Sequence, residues 1–285
     1  TKEDLPENPE ANGFVMAANK WWLTNPNTEN KKNLPNGYYE QTLLGKNLDW
    51  IRCYAQGLYT YVQEGKPVIS EYDDNIMATD FIEPDISLPI QVGVDFGLTP
   101  AAIFGQRLKN GRWVILHELV TFDMGLERFG TMLKGELASK FPKYEVLVHG
   151  DPAGQKRDEI YEVTAFDHLR SIGLTARPTA SNDFRIRREA GAMPMNRLIE
   201  GKPGLLVDKR CQRLRKSLSG GYHFRRVQIS GGERYKDQPN KNEHSHVGDA
   251  FMYLMLGGGE HRTLTRGHNP KFKMARAKTD FNIFE

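Results

Sequence analysis

Residues 90–106, IQVGVDFGLTPAAIFGQ, constrain the fold of this chain more than any other stretch. Apolar residues occupy every second position from Ile90 to Val94, which is the period of a β-strand. Asp95 ends the strand, glycine and proline then mark a turn, and a second apolar run starts at Ala101. The pattern predicts two paired strands with a carboxylate at the tip of the first. Such a carboxylate can reach a metal ion or a phosphate, or it can simply hydrogen-bond the turn backbone.

Length and composition exclude several classes of protein. The 285 residues suffice for one large or two smaller domains, and 39 basic against 36 acidic residues leave a mild net charge of +3. Cys53 and Cys211 form no CxxC pattern, which argues against a thiolate metal site or a disulfide framework and fits a reducing compartment. No apolar run approaches the roughly 18 residues of a membrane span. The polar start, TKEDLPENPEANG, is unlike a signal peptide, and we expect the chain to begin inside a longer protein.

The first third of the chain is predicted to be connecting structure. Residues 1–40 are rich in Asn, Pro, Glu and Lys and predict a loosely packed connector. Residues 37–64 predict a short helix running into a strand, and residues 65–89 predict a linker. Gly45-Lys46-Asn47 does not complete a phosphate-binding loop, because it lacks the Ser or Thr after the lysine and a glycine five positions before Gly45.

Strands and helices alternate through the rest of the chain. After the opening pair, the strands are predicted at 111–120, 144–149, 174–176, 204–207 and 222–229, and the helices at 126–140, 157–172, 182–200, from Asp208 to 218, and 244–256, with a polar loop at 230–243. This alternation after an opening meander predicts an α/β fold with a mixed sheet.

Three aspartates are candidate metal ligands. Asp151 follows the apolar strand 144–149, as Asp95 follows its own strand, and Asp249 interrupts an otherwise apolar helix, where an unpaired charge would be costly. Carboxylates brought together repel one another, and a divalent cation reverses that penalty. Oxygen ligands suit Mg2+ or Mn2+, and two such ions about 4 Å apart can promote hydrolysis of a phosphodiester.

Each candidate also has a plainer interpretation. Asp151 precedes a proline and can serve only to start a turn, and Asp249 can be a surface residue near a helix start. His246 shares the Asp249 stripe of the helix and is predicted to support the site rather than to bind metal. Glu118 is a possible fourth ligand, although a solvent-facing position in its strand is the simpler expectation.

Residues 177–241 carry a strong excess of positive charge. This segment contains 16 Lys and Arg against 6 Asp and Glu, or +10, whereas the whole chain carries +3. Such a surface suits a phosphate backbone, with contacts independent of base sequence, although a solvated helical face is the alternative. The candidate DNA-binding residues are Arg185, Arg187, Arg188, Lys209, Arg210, Arg213, Arg215 and Lys216.

Four motifs, taken in order, resemble the C-terminal nuclease domain of tailed-bacteriophage large terminase subunits. They are VGVDFG, VHGDPAG, PGLLVDKRCQRLRKSLSGGYHFRRVQ and NKNEHSHVGDAFMYL, within residues 88–257. The preceding YYEQTLLGKNLDWIRCYAQG and GKPVISEYDD resemble the stretch that joins a terminase ATPase domain to its nuclease.

The resemblance implies a ribonuclease H-like mixed sheet flanked by helices. It implies a linker and ATPase remnant at 1–87, the nuclease at 88–257 and a basic, flexible tail at 258–285. Asp95, Asp151 and Asp249 match the three acidic positions that would hold two Mg2+ or Mn2+ ions.

The implied function is endonucleolytic cleavage of concatemeric double-stranded DNA during viral genome packaging in the host cytoplasm, with no membrane. The portal and the small terminase subunit are the implied partners of the full motor. Two alternatives stay open. The first is an actin- or sugar-kinase-like ATPase, because VGVDFGLTPAA also resembles that superfamily's first phosphate turn. The second is a non-catalytic DNA-binding or docking module.

Overall fold

The computed structural model of the chain describes residues 14–17, 20–23, 35, 65–97, 99–155, 163–227 and 234–260. The helix predicted within 37–64 and nearly all of the tail predicted from 258 lie outside these residues.

Short strands and helices alternate along the described chain. The strands are β1 Phe14–Ala17, β2 Lys20–Leu23, β3 Gly65–Pro67, β4 Ala78–Thr79, β5 Ile90–Asp95, β6 Ala101–Arg107, β7 Trp113–Val120, β8 Val146–Gly150, β9 Thr175–Pro178, β10 Leu198–Ile199, β11 Lys202–Pro203, β12 Leu205–Asp208, β13 His223–Val227 and β14 Arg234–Tyr235. The α-helices are α1 Asp74–Met77, α2 Leu126–Lys140, α3 Ala165–Ser171, α4 Phe184–Ala192, α5 Gln212–Lys216 and α6 Ser245–Gly257.

A seven-stranded mixed sheet in the order β4-β12-β7-β6-β5-β8-β9 organises the fold. Strands β5, β6 and β7 form an antiparallel meander, and β8 and β9 then continue the sheet on the other side of β5, parallel to it. All strands of this sheet therefore run in one direction except β6. The meander followed by two parallel strands is the ribonuclease H-like arrangement, and the predicted fold class is confirmed.

The two faces of the sheet are buried under different helices. Helix α2 begins and ends where the sequence pattern predicts, and it packs Phe129, Leu133 and Leu137 on one face together with residues of α3. Helix α6 covers the other face with α4 and α5. Nearly every side chain of α6 is buried, so this helix lies within the core instead of on the surface.

Several predicted boundaries are corrected by pairings that are distant in sequence. The segment 65–89, predicted as a linker, contributes β3, which pairs with β13, and β4, which pairs with β12. The folded sheet therefore draws on residues before 88. A further boundary has a local cause. The helix predicted at 182–200 ends at Ala192, because Pro194 has no backbone N–H to donate to the carbonyl four residues earlier and cannot continue the helix.

Glu260, just after α6, is a buried carboxylate that anchors the end of this helix. It accepts hydrogen bonds from Trp113 Nε1 at 2.8 Å and from two nitrogens of Arg197 at 2.9 Å each. Replacing Glu260 by alanine leaves the buried Trp113 Nε1 and the half-buried guanidinium of Arg197 without this acceptor, so we expect a loss of about 3 kcal/mol in the free energy of unfolding. Urea denaturation measures this loss of stability. Glu200→Ala, at an exposed side chain, is the control and should cost under about 0.5 kcal/mol; equal losses would contradict the anchoring role.

Within the residues that the structure describes, no helix combines the length and the apolar character that a membrane crossing requires.

Candidate active site

Two of the predicted aspartates lie side by side at one edge of the sheet. Strands β5 and β8 are parallel neighbours in which Val94 pairs with Gly150, so Asp95 and Asp151 come next at the same edge. We call this the carboxylate edge. Asp151 also accepts a hydrogen bond at 2.8 Å from the backbone of Ala153, so it stabilises the turn that the plainer interpretation predicts.

Helix α6 brings the third aspartate to this edge by lying directly on β5. A Cβ atom at Gly93 would lie 2.2 Å from the carbonyl oxygen of Ala250, so only glycine allows this approach. His246, in the first turn of α6, places Nδ1 2.9 Å from Oδ2 of Asp95, and the carboxylate accepts this hydrogen bond. The prediction that His246 supports the site agrees with this contact, and its role remains a proposal.

Asp95 is held in an environment that disfavours its negative charge. The residue is 8% exposed. Burial raises the pKa of the Asp95 carboxyl, and the charge of Asp249 raises it further, while the hydrogen bond from His246 opposes the shift. The same hydrogen bond raises the pKa of His246. A cation placed beside Asp95 would relieve both the burial penalty and the repulsion.

The structure surrounds Asp249 with positive charge. Asp249 is 2% exposed, and its Oδ1 accepts hydrogen bonds from Arg187 Nη1 at 3.0 Å and from the Tyr222 hydroxyl at 3.3 Å. Its Oδ2 accepts a hydrogen bond from Lys241 Nζ. Lys241 is not among the site residues predicted from the sequence, and Arg187 is predicted there as a DNA-binding residue. No periodic pattern links these residues to Asp249, so only the tertiary structure brings them together.

Asp151 is linked to the same cluster through Tyr253. Burial raises the pKa of the Tyr253 hydroxyl, the charge of Arg187 opposes this shift, and the charges of Asp151 and Asp95 raise the pKa further. The guanidinium of Arg187 lies 4.5 Å from the centre of the Tyr253 ring. Asp95, Asp151 and Asp249 therefore lie in one electrostatic neighbourhood, to which Arg187 and Tyr253 also belong.

The carboxylate oxygens of this cluster suit a hard divalent cation, but those of Asp249 already have cationic partners. Carboxylate oxygens are the ligands that Mg2+ and Mn2+ prefer, and Asp95 has the unfavourable charge that a cation would relieve. Both oxygens of Asp249, however, bind the cations of Arg187 and Lys241. Accordingly, in the described ranges no three His, Cys, Asp or Glu side chains are arranged to hold a metal ion. Asp249 can join such a site only if one of its present partners yields.

Glu118 has a structural role instead of either role considered from the sequence. Its two carboxylate oxygens accept hydrogen bonds from the backbone N–H groups of Arg213 and Leu214 at 2.9 and 2.8 Å. The side chain therefore satisfies donors in the first turn of α5, which have no partner within the helix. It is neither a fourth ligand of the cluster nor a simple solvent-facing residue.

The predicted DNA-binding residues fall into three groups. Arg187 is 7% exposed and belongs to the carboxylate cluster. Arg185, Arg213 and Lys216 are exposed. The others form ion pairs with nearby acids, namely Arg188 with Glu71 and Glu189, Lys209 with Asp80, Arg210 with Asp208, and Arg215 with Asp74. Much of the positive excess in residues 177–241 is thus balanced locally.

Two exposed aromatic rings accompany the basic residues and were not predicted from the sequence. The guanidinium of Arg213 lies 5.0 Å from the centre of the Phe122 ring, and that of Arg210 lies 4.7 Å from the Phe81 ring. Phe122 and Phe81 are 50% and 68% exposed. Phe81 and Phe122 are distant in sequence from Arg210 and Arg213, so the sequence gives no signal for either contact and both depend on the fold.

Comparison with known proteins gives structural similarity without sequence matches. No protein-family model and no curated protein matches the chain. The large terminase of a thermophilic bacteriophage is 14% identical over 83% of this chain and 53% of that chain, with a TM-score of 0.49. The chain therefore spans about half the length of that protein.

Two isolated domains are also similar. The large terminase nuclease domain of P22 is 12% identical over 69% of this chain and 94% of that chain, with a TM-score of 0.49. The nuclease domain of the bacteriophage SPP1 large terminase, solved with bound Mn, is 15% identical over 65% of this chain and 97% of that chain, with a TM-score of 0.43. These similar structures are large terminases, the class of protein that the sequence motifs resemble.

Proposed function

We propose that this chain is a divalent-metal-dependent endonuclease that cleaves double-stranded DNA. The observation that carries the proposal is the carboxylate edge, where Asp95 and Asp151 end adjacent parallel strands and α6 adds Asp249 and His246. Carboxyl groups with perturbed pKa values, such as the raised pKa of Asp95, cluster at functional sites. The terminase motifs in the sequence favour cleavage of concatemeric viral DNA during packaging.

Each residue of the cluster has a distinct task in this proposal. Asp95 and Asp151 hold one or two Mg2+ or Mn2+ ions, and Asp249 completes the ligand set. Bound at these aspartates, such ions would supply an activated water molecule and would neutralise the charge that develops on the leaving oxygen. His246 orients the Asp95 carboxylate through its 2.9 Å hydrogen bond. Arg187 orients Asp249 from the buried side.

The basic and aromatic residues around α5 support a DNA path along the same edge of the sheet. Strands β12, β7, β5 and β8 all end at this edge, so Arg210 and Arg213 lie beside it. Strand β7 lies two strand spacings, or about 10 Å, from β5. This distance equals about three base-pair steps along a DNA duplex. A guanidinium oriented by an aromatic ring can contact the phosphate backbone without reading base sequence.

Incubation with supercoiled plasmid tests the proposal. We expect linearisation and then degradation with Mn2+ or Mg2+, and no cleavage with EDTA, because the acids cannot act on the phosphodiester without a cation. Agarose gels with time points measure the rates. The EDTA arm followed by added Mn2+ should restore cleavage, which excludes inactivation by the chelator.

Other outcomes would favour the alternative functions. A folded protein that binds the plasmid but cuts it with neither metal would be a docking module. Stabilisation by ATP in a thermal melt, without cleavage, would favour the ATPase. Portal and small-subunit binding belong to the proposed packaging role and would be tested with the assembled motor.

A further inference from the structure

Asp249 has two cationic partners, and they differ in how deeply their side chains are buried. The side chain of Arg187 is 9% exposed, donates a second hydrogen bond from Nε to the carbonyl of Asn182, and lies against the Tyr253 ring. The side chain of Lys241 is 63% exposed and reaches Asp249 from the solvent side. Arg187 is therefore held in place by its surroundings, whereas the Lys241 head group can leave for water without opening the core.

The backbone that carries Lys241 is fixed on both sides. Asn240 N–H donates to the carbonyl of His223 at 2.8 Å, and Asn242 Nδ2 donates to the carbonyl of Gly221 at 2.8 Å. The position of the Lys241 backbone is thus set by β13 and the turn before it. Exchange at Asp249 then needs only rotation of the lysine side chain about its own bonds.

Lys241 acts on Asp95 and His246 as well as on Asp249. Its positive charge acts to lower the pKa of both Asp95 and His246. The ammonium group therefore lies within electrostatic reach of Asp95 while it hydrogen-bonds Asp249. This is the region in which a cation shared by the two aspartates would bind.

Charge balance also indicates that Lys241 leaves Asp249 when a divalent cation binds. With His246 counted as neutral, Asp95, Asp151 and Asp249 contribute three negative charges and Arg187 and Lys241 contribute two positive ones. The cluster then carries a net charge of −1 without metal. Adding one divalent cation while Lys241 stays would give a net positive cluster. Adding it while Lys241 leaves would give a neutral one.

We propose that Lys241 is an exchangeable counter-ion of Asp249, which a divalent cation displaces when it binds the carboxylate edge, while Arg187 remains and positions Asp249. The proposal rests on the proposed function, because it requires a cation at these aspartates. It makes Lys241 a residue that sets the affinity of the site for metal.

The first test is calorimetric titration of the whole chain with Mn2+. Lys241→Met keeps an unbranched side chain of similar length and removes the charge, so we expect Mn2+ to bind about tenfold more tightly. Lys241→Arg keeps the charge and should bind Mn2+ like the wild type. Lys236→Met, at an exposed lysine earlier in the same stretch of chain, is the matched control and should leave the affinity unchanged.

A second measurement separates exchange from a purely structural ion pair. In EDTA, Lys241→Met should melt below the wild type, because Asp249 loses a counter-ion. With saturating Mn2+ this difference should vanish or reverse, because the cation replaces the lysine. An ion pair that only stabilises the fold would lower the melting temperature equally in both conditions.

The outcomes distinguish this inference from the proposed function. In one outcome, the wild type binds Mn2+ and cuts DNA while Lys241→Met binds Mn2+ equally or more weakly. That result would contradict the exchange of Lys241 for a cation and would support the proposed nuclease function. If the wild type neither binds Mn2+ nor cuts DNA, both are wrong, since no cation then competes with the lysine.

Discussion

Replacing Asp95 by asparagine is expected to lower the rate of DNA cleavage on the order of 10³-fold or more, the scale seen when an essential charged group of an active site is removed. Asparagine has the same size and can still accept the hydrogen bond from His246. The change therefore removes the charge that would hold a cation and leaves the packing of β5 intact.

The same substitution is expected not to destabilise the fold. Burial and the charge of Asp249 both raise the pKa of Asp95, which means that the folded protein opposes its ionised form. Asparagine removes that cost, so the melting temperature in EDTA should equal or exceed that of the wild type. A large loss of activity with unchanged or higher stability is the signature of a functional residue held in an unfavourable environment.

Two measurements check this prediction. Plasmid cleavage at saturating Mn2+ gives the rate, and a thermal melt in EDTA gives the stability. Asp167→Asn, at an exposed position of α3, is the control and should cut like the wild type. Cleavage by Asp95→Asn at more than about a tenth of the wild-type rate would exclude Asp95 from the active site.

Replacing Gly93 by valine is expected to abolish the folded state under ordinary conditions. Even a Cβ atom at this position would lie 2.2 Å from the carbonyl oxygen of Ala250 and 2.4 Å from the backbone nitrogen of Leu254. These are backbone atoms of a buried helix, so they cannot move aside as a flexible side chain would. To make room, α6 must lift from β5 and open the core, and the cost should exceed about 5 kcal/mol, beyond the range of most single substitutions.

The milder Gly93→Ala variant should connect this packing to activity. Where it folds, α6 has moved outward, so the 2.9 Å contact between His246 and Asp95 should lengthen and cleavage should fall together with stability. Circular dichroism, urea denaturation and plasmid cleavage measure these effects. Gly135→Ala is the control, because a Cβ there meets nothing within 4 Å on an exposed turn of α2, and it should gain about 0.5–1 kcal/mol. Wild-type stability of Gly93→Ala would contradict the close packing of α6 on β5.

Local patterns in the sequence predicted much of the fold. The bounds of α2 are reproduced because its apolar residues recur every three and four positions over a long stretch. The ends of β5 and β8, and with them the edge that carries Asp95 and Asp151, follow from short apolar runs stopped by turn residues. By contrast, β3 and β4 lie in a segment that resembles a linker, because each is only two or three residues long and pairs with a strand more than 100 residues away.

The fold class, the candidate aspartates and the excess of positive charge could therefore be predicted from local patterns and motifs in the chain. Which charged side chains contact one another depends on the packing of distant elements. This packing placed Arg187 in the cluster and not on a DNA surface, balanced several other arginines with acids, and brought Lys241 to Asp249. Periodicity and turn chemistry depend on residues that are near neighbours in sequence, so they can be recognised without a structure. The counter-ions of a buried carboxylate, by contrast, come from any helix or strand that packs within a few ångströms of it.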